Sequence, residues 1–179
     1  MKWDQNNEYD TRQILEQMRQ EYWRGLTEAE VEESTDQLQV VSVVLGEELF
    51  GIPAIEAKEI LKTPQLVRVP RTPPAVLGIF NLRGKITSVL DIRSVLGLKK
   101  AEMTERSRVV IIETGNLSTG VIVEEVREIT QIPRETIIPV AKTIARKEYL
   151  TGQTEVDGAV MVLLDMEKIL NSRDFQIHE

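Results

Sequence analysis

Gly84-Lys85-Ile86-Thr87-Ser88-Val89-Leu90-Asp91-Ile92 returns seventy-four positions later as Gly158-Ala159-Val160-Met161-Val162-Leu163-Leu164-Asp165-Met166. In both copies an apolar run starts after a glycine, ends at an aspartate and leads to an apolar pair, Val95-Leu96 or Ile169-Leu170. Working outward, Gln39–Thr63 lies on Arg108–Ile132 without a gap at an offset of sixty-nine. Val40-Val41-Ser42-Val43 meets Val109-Val110-Ile111-Ile112, Gly46 meets Gly115, Gly51 meets Gly120, and Lys58-Glu59-Ile60 meets Arg127-Glu128-Ile129. The five-residue difference between the two offsets needs only a longer connector in the second copy. The chain therefore contains two related units, each well below the ~100–150 residues of a common domain.

Within each unit the pattern is that of short strands. Gln39–Leu45 and Leu49–Pro53 flank the turn Gly46-Glu47, and Leu77–Leu82 and Lys85–Leu90 flank Arg83-Gly84. Ile55–Leu61 has the charges of a helix, but its counterpart Glu124–Thr130 is rich in β-branched residues, which favours strand for both. In the second unit Arg108–Glu113 and Val121–Val126 surround Thr114-Gly115-Asn116. Tyr149–Val156 and Ala159–Leu164 surround Asp157-Gly158, a type I′ hairpin signal. Prolines 64, 70, 73 and 74 punctuate one connector and prolines 133 and 139 the other, since proline donates nothing to a ladder. Asp91 is placed as the cap of a short helix ending at Leu96 and stopped by Gly97, and Asp165 as the cap of Met166–Asn171. Five short strands per unit close most simply as a small barrel, which removes exposed edges.

Residues 1–37 differ. Thr11–Leu26 has helical spacing, with Ile14, Met18 and Tyr22 on one face, and Thr27-Glu28-Ala29-Glu30 reads as a capping box. That apolar face, with Trp23 beside it, suits docking on the chain's own body or on a partner equally well. This arm carries four basic and ten acidic side chains, against eighteen and nineteen in the rest, so the net charge of −7 sits almost wholly in the arm.

Composition narrows the function. A nearly neutral body with 4% aromatics lacks the basic groove and stacking platforms of a nucleic-acid binder. It also lacks a basic membrane-binding face. There are no cysteines, so disulfides and thiolate chemistry are excluded, and the single histidine, His178, is penultimate, which leaves nothing for a histidine triad or zinc site. The polar start Met1-Lys2-Trp3-Asp4 is not a signal peptide, and a cytoplasmic chain is the expectation. No cofactor is implied.

Two constellations remain. Asp91 and Asp165 hold equivalent places, as the paired carboxylates of a duplicated hydrolase would. The residues that follow, Ile92-Arg93 and Met166-Glu167, lack the Asp-Thr/Ser-Gly turn of that class and favour capping. Glu59 and Arg83 lie in segments of mixed polarity in the first unit and suit a cross-strand ion pair. One reading is a solvated pair contributing little stability. The other is a binding face whose charges set orientation, a role the planar guanidinium fits well.

Leu49-Phe50-Gly51-Ile52 with Glu59-Ile60 downstream, Gly78-Ile79-Phe80-Asn81-Leu82-Arg83-Gly84, Val89-Leu90-Asp91-Ile92-Arg93 and Glu148-Tyr149-Leu150-Thr151-Gly152 resemble, at these spacings, the CheW family, the coupling proteins of bacterial chemotaxis. The resemblance extends from Leu38 to Asn171. It implies an all-β fold: two tandem five-stranded barrels, src-homology-3-like, packed on a shared hydrophobic seam. The barrels would span about 38–100 and 101–165, with a C-terminal helix 166–172, a tail 173–179 and the helical, acidic arm 1–37.

The resemblance also implies a non-enzymatic adaptor, recruited to receptor arrays at the inner face of the membrane. Such an adaptor binds the cytoplasmic tip of methyl-accepting chemoreceptors and the regulatory domain of a CheA-type histidine kinase. Arg83 matches the family's turn arginine, with Asn81 and Gly84 in the same motif, and Glu59 matches its early acidic residue. Ala54 and Ala57 fall where the family often carries larger aliphatics on its contact face. The competing readings are a duplicated nucleic-acid-binding barrel and, least favoured, the aspartate-pair hydrolase.

Overall fold

The structure is a computed structural model that describes residues 36–141 and 146–175. The arm helices read from Thr11 and Thr27, and His178, lie outside the described residues.

Ten strands follow one another: β1 (Gln37–Leu45), β2 (Glu48–Pro53), β3 (Ala57–Lys62), β4 (Val76–Leu82), β5 (Lys85–Leu90), β6 (Arg108–Thr114), β7 (Leu117–Val123), β8 (Glu125–Pro133), β9 (Leu150–Val156) and β10 (Ala159–Leu164). Helix α1 (Arg93–Leu96) follows β5 and helix α2 (Met166–Leu170) follows β10. The hairpin turns form as read: Gly46 and Glu47, Arg83 and Gly84, and Asp157 and Gly158 all take positive φ, the geometry of a type I′ turn.

The strands form two five-stranded sheets, in the orders β8-β1-β2-β10-β9 and β3-β6-β7-β5-β4. Both carry the same arrangement, and together they resemble two src-homology-3-like barrels. The division into barrels at 38–100 and 101–165 is corrected by this topology. Each repeat gives its first two strands to the other's sheet, so β1 and β2 complete β8–β10 while β6 and β7 complete β3–β5. The joints are parallel ladders, β2 with β10 and β7 with β5. Local sequence periodicity carries no information about which repeat a strand will pair with.

The exchanged strands explain their own composition. Val41, Val43 and Leu45 on β1, and Val110 and Ile112 on β6, enter one central cluster with Phe50, Ile52, Val121 and Val123. Their alternates, Val40 on β1 and Val109 and Ile111 on β6, point into the two separate barrel interiors. A strand buried on both faces reads as an unbroken apolar run rather than as an alternating one. The central cluster is the seam, and each large aliphatic fully buried there contributes roughly 1.5–3 kcal/mol over leaving it in water. Gly51 and Gly120, equivalent in the repeat, sit at the parallel joints opposite Leu163 and Val89. A Cβ at Gly51 would come within 2.7 Å of Leu163, and one at Gly120 within 2.6 Å of Val109.

Three further expectations are corrected. The strand read as Val121–Val126 begins at Leu117, because Leu117 and Ser118 pair with Thr114 and Glu113 across the hairpin. The strand read from Tyr149 begins at Leu150, since Tyr149 closes a 3-10 turn. The tail read at 173–179 opens with a 3-10 turn, Arg173–Phe175, and Phe175 packs against the seam.

Candidate functional site

The Arg83 turn is built from its neighbours. Cross-strand pairing of β4 with β5 runs to Leu82↔Lys85, leaving Arg83-Gly84 as the two turn residues. Asn81 steadies the turn, its Oδ1 accepting the Gly84 amide at 2.7 Å. Arg83 thereby projects from a fixed backbone with 78% of its side chain exposed, and its Nη2 donates to Glu59 Oε1 at 2.8 Å. Glu59, on β3, is 27% exposed. Of the residues read from sequence, Glu59, Asn81, Arg83 and Gly84 come together here.

Ala54 and Ala57 do not join that surface. Both are half-buried and pack against the seam, while Ile55 between them projects into water with 80% exposure. Their side chains are short because they face the interior at the β2–β3 connection.

The two aspartates differ, and here the capping assignment of Asp91 is corrected. Ile92, not Asp91, occupies the N-cap of α1, and no side chain caps that position. Asp91 is instead the buried partner of Arg93. It accepts from the Arg93 amide at 3.1 Å, from Nε at 2.8 Å and from Nη2 at 3.0 Å. Arg93 Nη1 reaches Glu124 Oε1 at 2.5 Å, and Glu124 Oε2 accepts the Gly46 amide at 2.6 Å. Burial works against the Arg93 charge, but the hydrogen bonds and charges of Asp91 and Glu124 outweigh it and hold the guanidinium above its ordinary range. This network ties the end of β5 to the β7–β8 corner and the β1–β2 turn, and so links the two sheets. Sequence reasoning did not single out Arg93 or Glu124. The available signal was a break in the repeat: Arg93 falls opposite Glu167, and Glu124 opposite the exposed Ile55.

Asp165 occupies the N-cap of α2, accepting the Lys168 amide at 3.0 Å and pairing with Lys168 Nζ at 2.8 Å. That hydrogen bond, with the charge behind it, raises the lysine pKa. Each aspartate is thus neutralised by its own cation, whereas a proton-sharing dyad requires two carboxylates facing one another. Glu56, in the turn before β3, is the strained carboxyl group. Its Oε2 is buried without a hydrogen-bond partner. Burial, with Asp165 and Glu167 nearby, pushes its pKa up against a lowering hydrogen bond from Thr114.

A doubled barrel with a pre-shaped, charged turn, and with its buried charges committed to joining the sheets, is built as a scaffold: surfaces held at fixed positions rather than reactive groups. The chain matches the CheW-like domain family over residues 39–174 and belongs to that family. It is 30% identical to the chemotaxis protein CheW of Helicobacter pylori, over 80% of this chain and 87% of that one. It is 33% identical to the chemotaxis protein CheW of Bacillus subtilis, over 79% and 92%. The crystal structure of the scaffolding protein CheW from Thermoanaerobacter tengcongensis superposes with a TM-score of 0.71 at 27% identity, covering 78% of this chain and 92% of that one. Members of the family are scaffolds of chemotaxis, not enzymes.

Proposed function

We propose that this chain couples chemoreceptors to a CheA-type histidine kinase in a chemosensory array. On this reading it binds the cytoplasmic hairpin tip of the receptors and the kinase regulatory domain, and it works in the cytoplasm at the inner face of the membrane. The observation that carries the reading is the Glu59–Arg83 pair. It is exposed and fixed by the Asn81-supported turn, and Arg83 stands in the Asn-Leu-Arg-Gly turn on which the resemblance to the family rests. An exposed pair of this kind contributes little to folding. Its value lies in orienting a partner, since the arginine fork can exchange or extend its bonds to a second carboxylate. Among the described residues no helix is long and apolar enough to cross a membrane.

The test is a pull-down of the chain with its cognate receptor signalling fragment and kinase regulatory domain. Retention of both in one complex is expected, and retention of neither would defeat the proposal. A duplicated nucleic-acid-binding barrel is disfavoured by the near-neutral body.

A further inference from the structure

A groove of about 370 Å³ runs beside the C-terminal helix. Its apolar walls come from separate parts of the chain: Val76 and Ile79 of β4, Leu90 of β5, Leu117 of β7, and Leu170 and Phe175 near the end of the described residues. The rest of the lining is Val69 and hydroxyl side chains, and none of the lining residues is charged. Two of the hydroxyls satisfy each other. Thr119 Oγ1 donates to the Ser88 carbonyl at 3.1 Å and lies 2.7 Å from Ser88 Oγ. A lining that is mostly apolar, with polar groups already paired, suits a hydrocarbon chain, and the volume falls in the range of ~300–1,000 Å³ usual for small-molecule sites.

A second cleft, of about 280 Å³, shares Val69, Thr72 and Val76 with the groove and is lined by Arg68 and Arg71 as well. Both arginines are exposed, and among the described residues neither has a carboxylate within ion-pair distance. The loop that carries them is held in one form. Arg71 has a left-handed backbone, φ 63°, which a bulky residue rarely adopts. Pro70 precedes it, Pro73 follows, and Thr72 Oγ1 donates to the Val69 carbonyl at 2.9 Å. Backbone strain that the surroundings over-determine in this way concentrates at ligand clamps.

We propose that the two clefts form one site for a medium-chain anionic amphiphile, with the tail in the apolar groove and a carboxylate or phosphate head on Arg68 and Arg71. The guanidinium fork bonds either head bidentately, and two unpaired cations side by side favour an anion over a neutral or cationic head. The uncharged groove accounts for the other half of the ligand, since an anion without a tail would leave it unused. The site needs neither receptor nor kinase, so its failure would leave the coupling function standing.

The experiment is isothermal titration calorimetry of the full chain with decanoate, kept below the onset of micelles and at low salt. Saturable binding with Kd below ~1 mM is expected. Acetate has the head without the tail, and decyltrimethylammonium reverses the head charge; neither should bind measurably. Octanoate should bind at least ~4-fold more weakly than decanoate, the factor one buried methylene supplies. Decyl phosphate, titrated alongside, identifies the preferred head. Arg68→Gln with Arg71→Gln should weaken decanoate binding ~10-fold and flatten its salt dependence. Ser118→Trp, at an exposed position of the groove lining, should block the tail. Should that variant misfold, Leu117→Asp, at a side chain 41% exposed, replaces it. Absence of saturation, equal binding of the cationic amphiphile, or variants without effect would each overturn the proposal. Capture on phosphatidylglycerol vesicles without decanoate binding would assign the arginines to a membrane surface and overturn it too. So would binding that appears only once residues 176–179 are removed, which would give the groove to the chain's own residues.

Discussion

Glu59 and Arg83 belong to opposite edges of one five-stranded sheet, β3 at one end of the strand order and the β4–β5 hairpin at the other, yet Arg83 Nη2 lies 2.8 Å from Glu59 Oε1. The pair bridges the gap across which the sheet curls to meet itself. It therefore occupies a position where closure of the barrel and presentation of a charged surface coincide.

That position separates stability from binding. Arg83→Glu should alter the free energy of unfolding by no more than ~1 kcal/mol, because the pair is open to solvent. It should also reduce receptor binding at least ~10-fold, a loss of ~1.4 kcal/mol. The double reversal Glu59→Arg with Arg83→Glu restores the pair but not the arginine in its place. Binding that stays weak in the double variant would identify Arg83 itself as the contact, and binding that returns would identify the pair. Urea melts and titration with a receptor signalling fragment read the two quantities.

The buried network should behave in the opposite way. Asp91 is 2% exposed, so Arg93→Met leaves a carboxylate stranded in the interior and should cost ~3–5 kcal/mol. Adding Asp91→Leu removes the more deeply buried of the two carboxylates that lose Arg93 and should recover part of that loss, while Glu124, 20% exposed, keeps the Gly46 amide as a partner. Equal instability of the single and double variants in chemical denaturation would show that the network is not the tie between sheets described above.

The parallel joints give a graded prediction. Gly120→Ala places a Cβ 2.6 Å from Val109 Cγ1 and 3.3 Å from the Ser88 carbonyl, where little can give way. Gly51→Ala meets the ends of Leu163 and Met161, which can shift. Overpacking of this kind costs ~1–3 kcal/mol, and Gly120→Ala should lie toward the top of that range with Gly51→Ala below it. Thermal melts of the two variants check the order.

Much of this was legible in the sequence for a physical reason: the repeat exposes the same strand pattern twice, so the ambiguous segment 55–61 is decided as strand by its copy at 124–130, although the strand itself is Ala57–Lys62 and follows a turn at 54–56. The turns were legible because Gly46, Gly84 and Gly158 stand where positive φ is required. The exchange of β1–β2 and β6–β7 was not, because pairing partners of equal apolarity are interchangeable in pattern and are selected only by packing in three dimensions. The Asp91–Arg93–Glu124 network was hidden for a related reason. Asp91 and Arg93 are two residues apart, but Glu124 reaches them through the fold. The orientation of Ala54 and Ala57 toward the seam follows from a sharp β2–β3 turn that alternation alone does not predict.

Glu56 sets a pH dependence. Its folded pKa is raised above the ordinary 4.5, chiefly by burial, so the native state holds the proton more tightly than the unfolded chain. Below the unfolded value the group carries no penalty. As pH rises past the unfolded value and through the folded pKa the penalty develops. Glu56→Gln should therefore raise the melting temperature at pH 7, with the gain shrinking toward zero as pH falls below the ordinary carboxyl range. A gain that is the same at both ends, or a loss at pH 7, would contradict the assignment.

The most direct test of the scaffold account is kinase activity in a reconstituted array, with receptor signalling fragments and the CheA-type kinase held constant and this chain added or withheld. The account expects receptor-dependent change in autophosphorylation only when the chain is present, and its loss with Arg83→Glu. Receptor control of the kinase that is equally strong without the chain would contradict it.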